Sequence, residues 1–442
     1  MTGIEQKAPG IGLITVLLGA VAAGPILLYG LSATSDSIIA ELGISEGHFG
    51  LLATACFGAA AIGNATMGRL ADRHSDLALM AFIFILSTLA LLLVAVPDGF
   101  WMLLLAAALA GIAQSFPNGV TNRILLERVP TAKRIGWVGI KQSGVQVSQL
   151  VASLAFPVLA IGLGWRGAAV AVAIIPIILL VMAWRSLRST PLLPTPNTGT
   201  PAEAADPTAA DQSESGPTGI AEAADPPASL DRTANDQSGS GPADTTPAPR
   251  TKHPGVVWAL AAFGLLNGIG VQATNVYMPL FAVRELDFSL VLGGATAALA
   301  GIVGVIARVS WARRMAKGAS GPRLLLVLAF IALAGAALFF AAGATGWSAL
   351  MWVAVALHGI SALGVSVVLM SALMRVIPAS SMVSASGMVT AGMFFGFALG
   401  PLGMGLLVSS AGGFLLGWIV VGAVYLLCAL LALVLIRQRT RG

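Results

Sequence analysis

Twelve apolar stretches, each close to the roughly 20 residues that a helix needs to cross a bilayer, occur along the 442-residue chain. Hydrophobic residues make up 57% of the chain and charged residues 10%, whereas soluble domains carry about 25% charged residues. The predicted spans are 11–32, 49–70, 77–96, 101–126, 136–159, 166–184, 255–280, 290–311, 323–342, 347–374, 384–408 and 414–436. The sequence therefore predicts an all-α membrane protein with twelve transmembrane helices.

A segment of different composition, residues 189–253, separates the first six spans from the last six. It is rich in Pro, Ala, Asp, Ser, Gly and Thr, and such a segment buries too little apolar surface to offset the entropy of ordering it. We therefore predict two six-helix halves, 1–188 and 254–442, joined by a disordered linker. The linker repeats itself, as in "AEAADP" at 202–207 and 221–226, which indicates either a low-complexity duplication or a partner-binding tail.

The positions of Lys and Arg predict the orientation of the spans. With the N-terminus placed in the cytoplasm, 19 of the 24 basic residues fall on the cytoplasmic side, 2 on the opposite side and 3 within spans. Cytoplasmic loops of membrane proteins carry this excess. We therefore expect a multi-pass protein of a bacterial plasma (inner) membrane with both termini and the linker in the cytoplasm. The basic residues lie in short loops without interleaved aromatics, so we do not expect nucleic-acid binding.

The loop after the second span reads "GRLADRHSD" at 68–76. It resembles the signature Gly-x-Leu-x-Asp-Arg-x-Gly-Arg of the major facilitator superfamily; its first four defined positions match, and Ser75 and Asp76 replace the later Gly and Arg. The resemblance implies two six-helix halves that alternate access to a central site, with this loop acting as a latch. The gating candidates are Gly68, Asp72 and Arg73 in the loop, with Glu127 and Arg123 at the end of the fourth span.

A second resemblance concerns the fifth span. "RIGWVGIKQSGVQ" followed by "LGWRGA" is similar to the corresponding region of cyanate-permease-like and related organic-anion porters. Drug/proton antiporters of the superfamily usually carry an Arg four residues before a Gly in span four and a Gly-Pro stretch in span five. Here Ala107 precedes Gly111 at that spacing, and span five lacks Gly-Pro. The comparison favours an organic-anion porter over a drug exporter.

The few ionisable groups predicted inside the membrane are basic. They are Lys141, Arg123, Arg308 and His358, while the 19 carboxylates can all be placed in loops, the linker or helix ends. Charged residues within spans are expensive and mark functional sites, and a neutral to positive cavity favours an anionic substrate. The sequence carries no Walker loop, HExxH motif, nucleophile elbow or Cys/His cluster. We therefore expect a secondary transporter rather than an enzyme, with no cofactor or metal.

Helical periodicity places polar residues on single faces of the spans that line the cavity in this fold. Span five presents Lys141 together with three glutamines, and spans four and seven present amide stripes. Amides can bond a carboxylate while a lysine supplies charge without fixed geometry. The substrate-binding candidates are Lys141, Gln142, Gln146, Gln149, Gln114, Asn118, Asn122, Asn267, Gln272, Asn275, His358 and Tyr29.

Each candidate also has a purely structural interpretation. Lys141 could snorkel to the cytoplasmic surface or pair with Glu127. Arg123 lies off the polar stripe on the Glu127 side, where structural pairing is expected, and Arg308 is expected to snorkel at the membrane interface. His358 is either a hydrogen-bonded packing residue or a proton or substrate ligand. The amide stripes could join helices to one another.

These features predict a secondary transporter of a small organic anion or polar acid that works by alternating access, most simply as a monomer in the lipid bilayer. Proton symport, exchange and uniport stay open as coupling modes. The alternatives are a drug or amphiphile exporter of the same superfamily and, from a different class, a non-transporting membrane receptor that acts through its linker.

Deletion of residues 195–248 distinguishes the transporter from the receptor. A transporter should keep most of its flux, because the linker contributes no span, whereas a receptor that signals through the linker should lose its output. Counterflow of the transported acid in proteoliposomes measures the effect. Loss of all flux in a correctly inserted deletion variant would contradict the transporter prediction.

Overall fold

Every regular element in the described part of the computed structural model is helical. The structure describes residues 10–66, 73–96, 99–190, 255–378 and 381–439. A helix satisfies its backbone hydrogen bonds within itself, which a chain in hydrocarbon requires. The all-α membrane prediction is confirmed.

The described helices account for twelve spans. By length and composition alone, nine described helices could cross a membrane, and ten could if a bent pair counts as one span. One of the nine, Gly136–Ser189, has 54 residues, about 80 Å at 1.5 Å per residue, and it turns at Gly164, where φ is 67°. It therefore holds two spans, and Glu46–Thr66 completes the predicted twelve.

The spans are numbered below in chain order. Their helices are Ile11–Ala23 with Pro25–Ala33 (span 1), Glu46–Thr66 (2), Asp76–Leu93 (3), Phe100–Ser115 with Pro117–Arg128 (4), Thr131–Gln142 with Gly144–Val172 up to the turn at Gly164 (5), the rest of that helix with Ile174–Ser189 (6), Gly255–Glu285 (7), Leu290–Ala316 (8), Gly321–Thr345 (9), Ser348–Ser361 with Ala362–Gly364 and Val365–Met374 (10), Met382–Val408 (11) and Gly413–Arg439 (12). A short helix, Ser35–Leu42, connects spans 1 and 2. The domain boundaries at 188 and 254 stay a prediction, because residues 191–254 lie outside the described ranges.

Four spans that the apolar pattern predicts as continuous are broken in the middle. Span 1 bends by 57° between Ala23 and Pro25, and span 4 is interrupted just before Pro117. Both prolines occupy the first turn of the second helix, where the missing N–H is not needed. Span 5 is interrupted at Ser143, and span 10 passes through a 3₁₀ turn at Ala362–Gly364.

Side chains satisfy the carbonyl groups that the span 10 break releases. Trp311 Nε1 donates to the Ile360 carbonyl at 2.8 Å, and Arg308 Nε donates to the Leu363 carbonyl at 3.0 Å. Asn267 Nδ2 lies 3.4 Å from the carbonyl oxygen of Ala362. Spans 7 and 8 therefore stabilise the irregular backbone of span 10 with their own donors.

The two six-helix halves pack into one unit through close contacts of their backbones. A Cβ added at Gly294 of span 8 would lie 2.1 Å from the Ser153 carbonyl oxygen of span 5. A Cβ at Gly50 of span 2 would lie 2.5 Å from the Pro401 carbonyl oxygen of span 11. Small residues allow this approach, which is how helices associate in lipid.

A methyl group at Gly294 should disrupt the contact between spans 5 and 8. We expect Gly294→Ala to lower the melting temperature of the detergent-solubilised protein, because overpacking costs about 1–3 kcal/mol. Gly403→Ala in span 11 is the matched control, since a Cβ there meets nothing within 4 Å and alanine favours the helix. Equal melting temperatures for the two variants would contradict the prediction.

Candidate functional site

A polar cluster at the interface between the halves joins spans 5, 7 and 10; we call it the Asn275 cluster (Gln149, Asn275 and His358). Gln149 Nε2 lies 3.4 Å from Asn275 Oδ1, and His358 Nε2 lies 3.0 Å from the same oxygen. All three residues are buried. The cluster therefore links a residue of the first half to two residues of the second.

Several buried polar atoms near this cluster have no hydrogen-bond partner among the described residues. Buried polar groups are almost always paired in folded proteins, so a concentration of unpaired ones indicates a place for ligand or water. These atoms, all from spans 5 and 7, are Gln146 Oε1, Gln149 Oε1, Gln272 Oε1 and Asn275 Nδ2. The unpaired atoms include carbonyl oxygens and an amide N–H, so the site can both accept hydrogen bonds from a ligand and donate one to it.

Span 1 completes the site from the first half. Ser32 Oγ donates to the Val276 carbonyl at 2.6 Å, which joins span 1 to span 7. Tyr29, one turn earlier and buried, has its hydroxyl beside the Gln272 side chain. The structure thus brings Tyr29, Gln149 and Gln272 to one region, as well as His358.

Lys141 lies at the end of the first helix of span 5 and is fully buried. Its Nζ donates to Thr121 Oγ1 at 2.7 Å and to Asn122 Oδ1 at 2.6 Å. Both partners belong to span 4 and both are neutral. The interpretation that Lys141 snorkels or pairs with Glu127 is therefore wrong.

A second basic residue, Arg308 of span 8, also faces neutral partners. It is half-buried, and besides the Leu363 carbonyl it reaches the Gln142 carbonyl at 3.4 Å from Nη1. It therefore bridges the two halves, a contact that the expected snorkelling at the membrane interface did not include. Among the described residues, no ion pair involves Lys141 or Arg308.

Other substrate-binding candidates lie away from the Asn275 cluster. Gln142 and Asn118 are exposed, with Gln142 Nε2 3.3 Å from Asn118 Oδ1. Gln114 packs against Gly24 at the bend of span 1. Asn267 contacts the Ala362 carbonyl oxygen at the span 10 break. No three His, Cys, Asp or Glu side chains of the described ranges come together as metal ligands.

The gating candidates are only partly described. Gly68 and Asp72 lie outside the described residues, and Arg73 is exposed. Arg123 pairs with Asp76, with 2.7 Å between Nη2 and Oδ1, instead of Glu127, which forms no ion pair with the described part of the chain. Asp76, a departure from the family signature, therefore joins spans 3 and 4.

A cluster that the sequence reasoning missed closes the opposite end of the bundle; we call it the Arg284 cluster (Arg284, Asp36, Glu46 and Ser409). Arg284 Nε donates to Asp36 Oδ1 at 2.8 Å, and its Nη1 pairs with Glu46. Ser409 Oγ donates to Glu46 Oε2 at 3.0 Å. Two charged or polar side chains of the second half thus hold two acids of the first.

The ionisation of Glu46 reflects these contacts. Glu46 begins its helix, before the apolar run that starts at residue 49. Burial works against the charged form, but hydrogen bonds from a backbone N–H, Arg284 and Ser409 outweigh it and hold the pKa of Glu46 below its usual value of 4.5. The carboxylate is therefore ionised at neutral pH and strengthens the closed end.

The seam between spans 2 and 11 opens toward the other end. Near the Arg284 cluster it is closed, with Thr54 Oγ1 donating to the Ala398 carbonyl at 2.7 Å. Toward the end of span 2, a cleft of about 950 Å³ is lined by Ala61 and Asn64 together with Trp258 and Phe395 of spans 7 and 11. The lining is mostly apolar and does not include the Asn275 cluster.

The family model of the Major Facilitator Superfamily matches residues 11–390. The chain belongs to this superfamily. A Haemophilus influenzae protein named for metabolite transport is 28% identical over 132 residues, which is 30% of this chain and 32% of that protein. The match spans about a third of the length of that relative.

Solved structures of superfamily transporters share the fold. A bacterial homolog of the human lysosomal transporter Spinster, in an inward-facing and occupied conformation, superposes with a TM-score of 0.71 at 16% identity over 96% of both chains. A D-xylose-proton symporter gives 0.67 at 15% identity over 96% of both chains. The nucleoside transporter NupG gives 0.65 at 14% identity over 95% of this chain and 98% of its own. The family and these neighbours point to a transporter rather than an enzyme.

Acidification should open the end held by the Arg284 cluster. The lowered pKa of Glu46 means that its ion pair favours the closed form above about pH 4.5 and loses this effect as the pH falls through the lowered value. We expect Glu46→Gln to raise the open fraction at pH 7 by a factor of about 1.4 to 5, as exposed ion pairs contribute about 0.2–1 kcal/mol, and to flatten its pH dependence. Double electron–electron resonance between labels at Leu163→Cys and Trp347→Cys measures the opening.

Glu41→Gln is the matched control for this experiment. Glu41 also has a lowered pKa; burial opposes ionisation, but hydrogen bonds from Arg166 and Trp165 outweigh it. All three residues belong to the first half, so this variant should leave the distance unchanged. Equal open fractions for the wild type and Glu46→Gln at pH 7 would contradict the prediction.

Proposed function

We propose that the protein moves a small organic anion or polar acid across the plasma membrane by alternating access. The burial of Lys141 against neutral partners carries this proposal. A buried ammonium that hydroxyl and amide oxygens alone satisfy keeps its positive charge uncompensated. A positive field in a water-poor cavity attracts an anion, and the unpaired Asn275 Nδ2 can donate a hydrogen bond to its oxygens.

The distribution of contacts suggests how access alternates. Bonds between the halves concentrate at the Arg284 cluster, and the cleft between spans 2 and 11 lies at the other end. With both termini and the linker in the cytoplasm, the first end is extracellular and the cleft is cytoplasmic. In this proposal the form with the Arg284 cluster closed is the one that opens to the inside, and opening of the Arg284 cluster exposes the site to the outside.

The Asn275 cluster offers a titratable group for coupling. His358 is the ionisable member of the cluster, and its Nε2 bonds an amide that also contacts the first half. Protonation of His358 would change its hydrogen bond with Asn275 and thereby the contact between Asn275 and Gln149 of the first half. Proton symport through this histidine is therefore one route, beside exchange and uniport, for a carrier that works as a monomer.

Export of an amphiphile is the second candidate function, and the cleft supports it. Trp258 and Phe395 are more than half exposed, at 62% and 59%, and Met388 and Phe394 join them in the lining. Lys141 is not part of this surface. An amphiphile would therefore use the cleft, whereas an anion would use the interior cations.

Replacement of Lys141 distinguishes the two functions. We expect Lys141→Gln to abolish the thermal stabilisation that the best of acetate, lactate, benzoate, succinate and citrate gives to the wild type. The ligand-free variant should be as stable as the wild type or more stable, by up to about 1–3 kcal/mol, because the buried charge is gone. Scanning fluorimetry of the purified protein measures both quantities.

Lys133→Gln is the control, since Lys133 lies on the same helix as Lys141 and is exposed. It should keep the stabilisation by the acid. Stabilisation by ethidium and by none of the acids would favour the amphiphile exporter. Retention of the acid effect in Lys141→Gln would remove the basis of the anion proposal.

A further inference from the structure

Arg308 lies on a part of span 8 that packs closely against span 5 of the first half. Gly301, two turns before it, allows span 8 to approach span 5 so closely that an added Cβ would lie 3.0 Å from the Gln146 carbonyl oxygen. At Gly304, an added Cβ would lie 2.7 Å from Leu363 Cδ1. These contacts bring the Arg308 side chain between the breaks of spans 5 and 10.

The two breaks supply both hydrogen-bond partners of Arg308. Its Nε donates to the Leu363 carbonyl of the second half, and its Nη1 reaches the Gln142 carbonyl of the first. A guanidinium has five N–H donors, so three have no partner among the described residues. Backbone carbonyls are neutral, and within the described ranges no acid pairs with the positive charge of Arg308.

The surroundings of Arg308 suit an anion rather than a further protein contact. The guanidinium is half-buried, and Tyr29 of span 1 lies within electrostatic range of it. A planar guanidinium with free N–H groups matches the two coplanar oxygens of a carboxylate.

We propose that Arg308 is a specificity-determining ligand for the transported anion and that it selects a carboxylate group. The inference rests on the proposed anion transport and narrows its substrate class. The carboxylate binds the free N–H groups and replaces the weak contact with the Gln142 carbonyl. Substrate binding thereby loosens a contact between the halves at the moment when the cargo is held.

The planar arrangement of the guanidinium N–H groups allows an experiment that distinguishes carboxylate recognition by Arg308 from a general effect of its positive charge. We expect Arg308→Lys to weaken the apparent affinity for the best of acetate, lactate, benzoate, succinate and citrate at least tenfold, since a lysine keeps the charge and loses the planar fork. Arg313→Lys is the matched control, because Arg313 is exposed on the same span. Titration by scanning fluorimetry gives the apparent affinity and the ligand-free melting temperature.

Chemical modification of the wild type tests the same contact without a substitution. Phenylglyoxal reacts with arginine, and mass spectrometry reads the extent of reaction at each site. The best acid should protect Arg308 and leave Arg313 unprotected, while acetamide or benzamide should protect neither. A residue that only supports the span 10 break would show no protection that depends on the carboxylate.

The outcomes separate the two proposals. Unchanged affinity in Arg308→Lys with no protection of Arg308 would overturn this inference and leave the role of Lys141 standing. If Arg308→Lys fails to fold, protection in the wild type decides. If no acid stabilises the wild type or protects Arg308, the proposed anion transport fails and this inference fails with it.

Discussion

The interior of this protein depends on how side chains satisfy the carbonyl groups that broken helices release. A span in hydrocarbon can lose its regular helix only where other groups take up the freed backbone oxygens. Trp311, Asn267 and Arg308 do so at span 10, and Arg308 also reaches the break of span 5. The irregular backbone and these polar side chains therefore depend on each other. The breaks supply carbonyl acceptors, and these acceptors bind an indole N–H, an amide and a guanidinium.

The same dependence links the two halves. Glycines on span 8 allow its backbone to contact span 5, and only at that separation can Arg308 reach the Gln142 carbonyl. Asn275 acts in a similar way on the other side of the site, where its oxygen meets Gln149 from one half and His358 from the other. A ligand that binds either group meets both halves, which is the requirement for coupling between binding and a rocking motion.

The sequence predicted the spans and the polar faces because both depend on local periodicity. Periodicity places Gln142, Gln146 and Gln149 on one face of span 5; Gln146 and Gln149 are buried, whereas Gln142 is exposed. The partners were not predictable, since they depend on tertiary contacts: Arg284 and Asp36 are 248 residues apart, and Arg123 pairs with Asp76 across two spans. Pro25 and Pro117 begin the second helices of two of the four broken spans, although the apolar pattern predicts both spans as continuous, and the breaks at Ser143 and Ala362–Gly364 contain no proline. Without knowledge of these breaks, Arg308 read as an interfacial residue.

The carbonyl partners of Arg308 also bear on how tightly a carrier of this kind can hold its cargo. An arginine that faced only apolar side chains would bind an incoming anion very strongly and would be costly to empty. If Arg308 binds a carboxylate as proposed, the backbone oxygens solvate the guanidinium in the empty carrier, so the empty and loaded forms differ less in free energy. A carrier must release its substrate on the far side of the membrane. Solvation of the guanidinium by backbone carbonyls limits the affinity for the substrate and so keeps release fast enough for turnover.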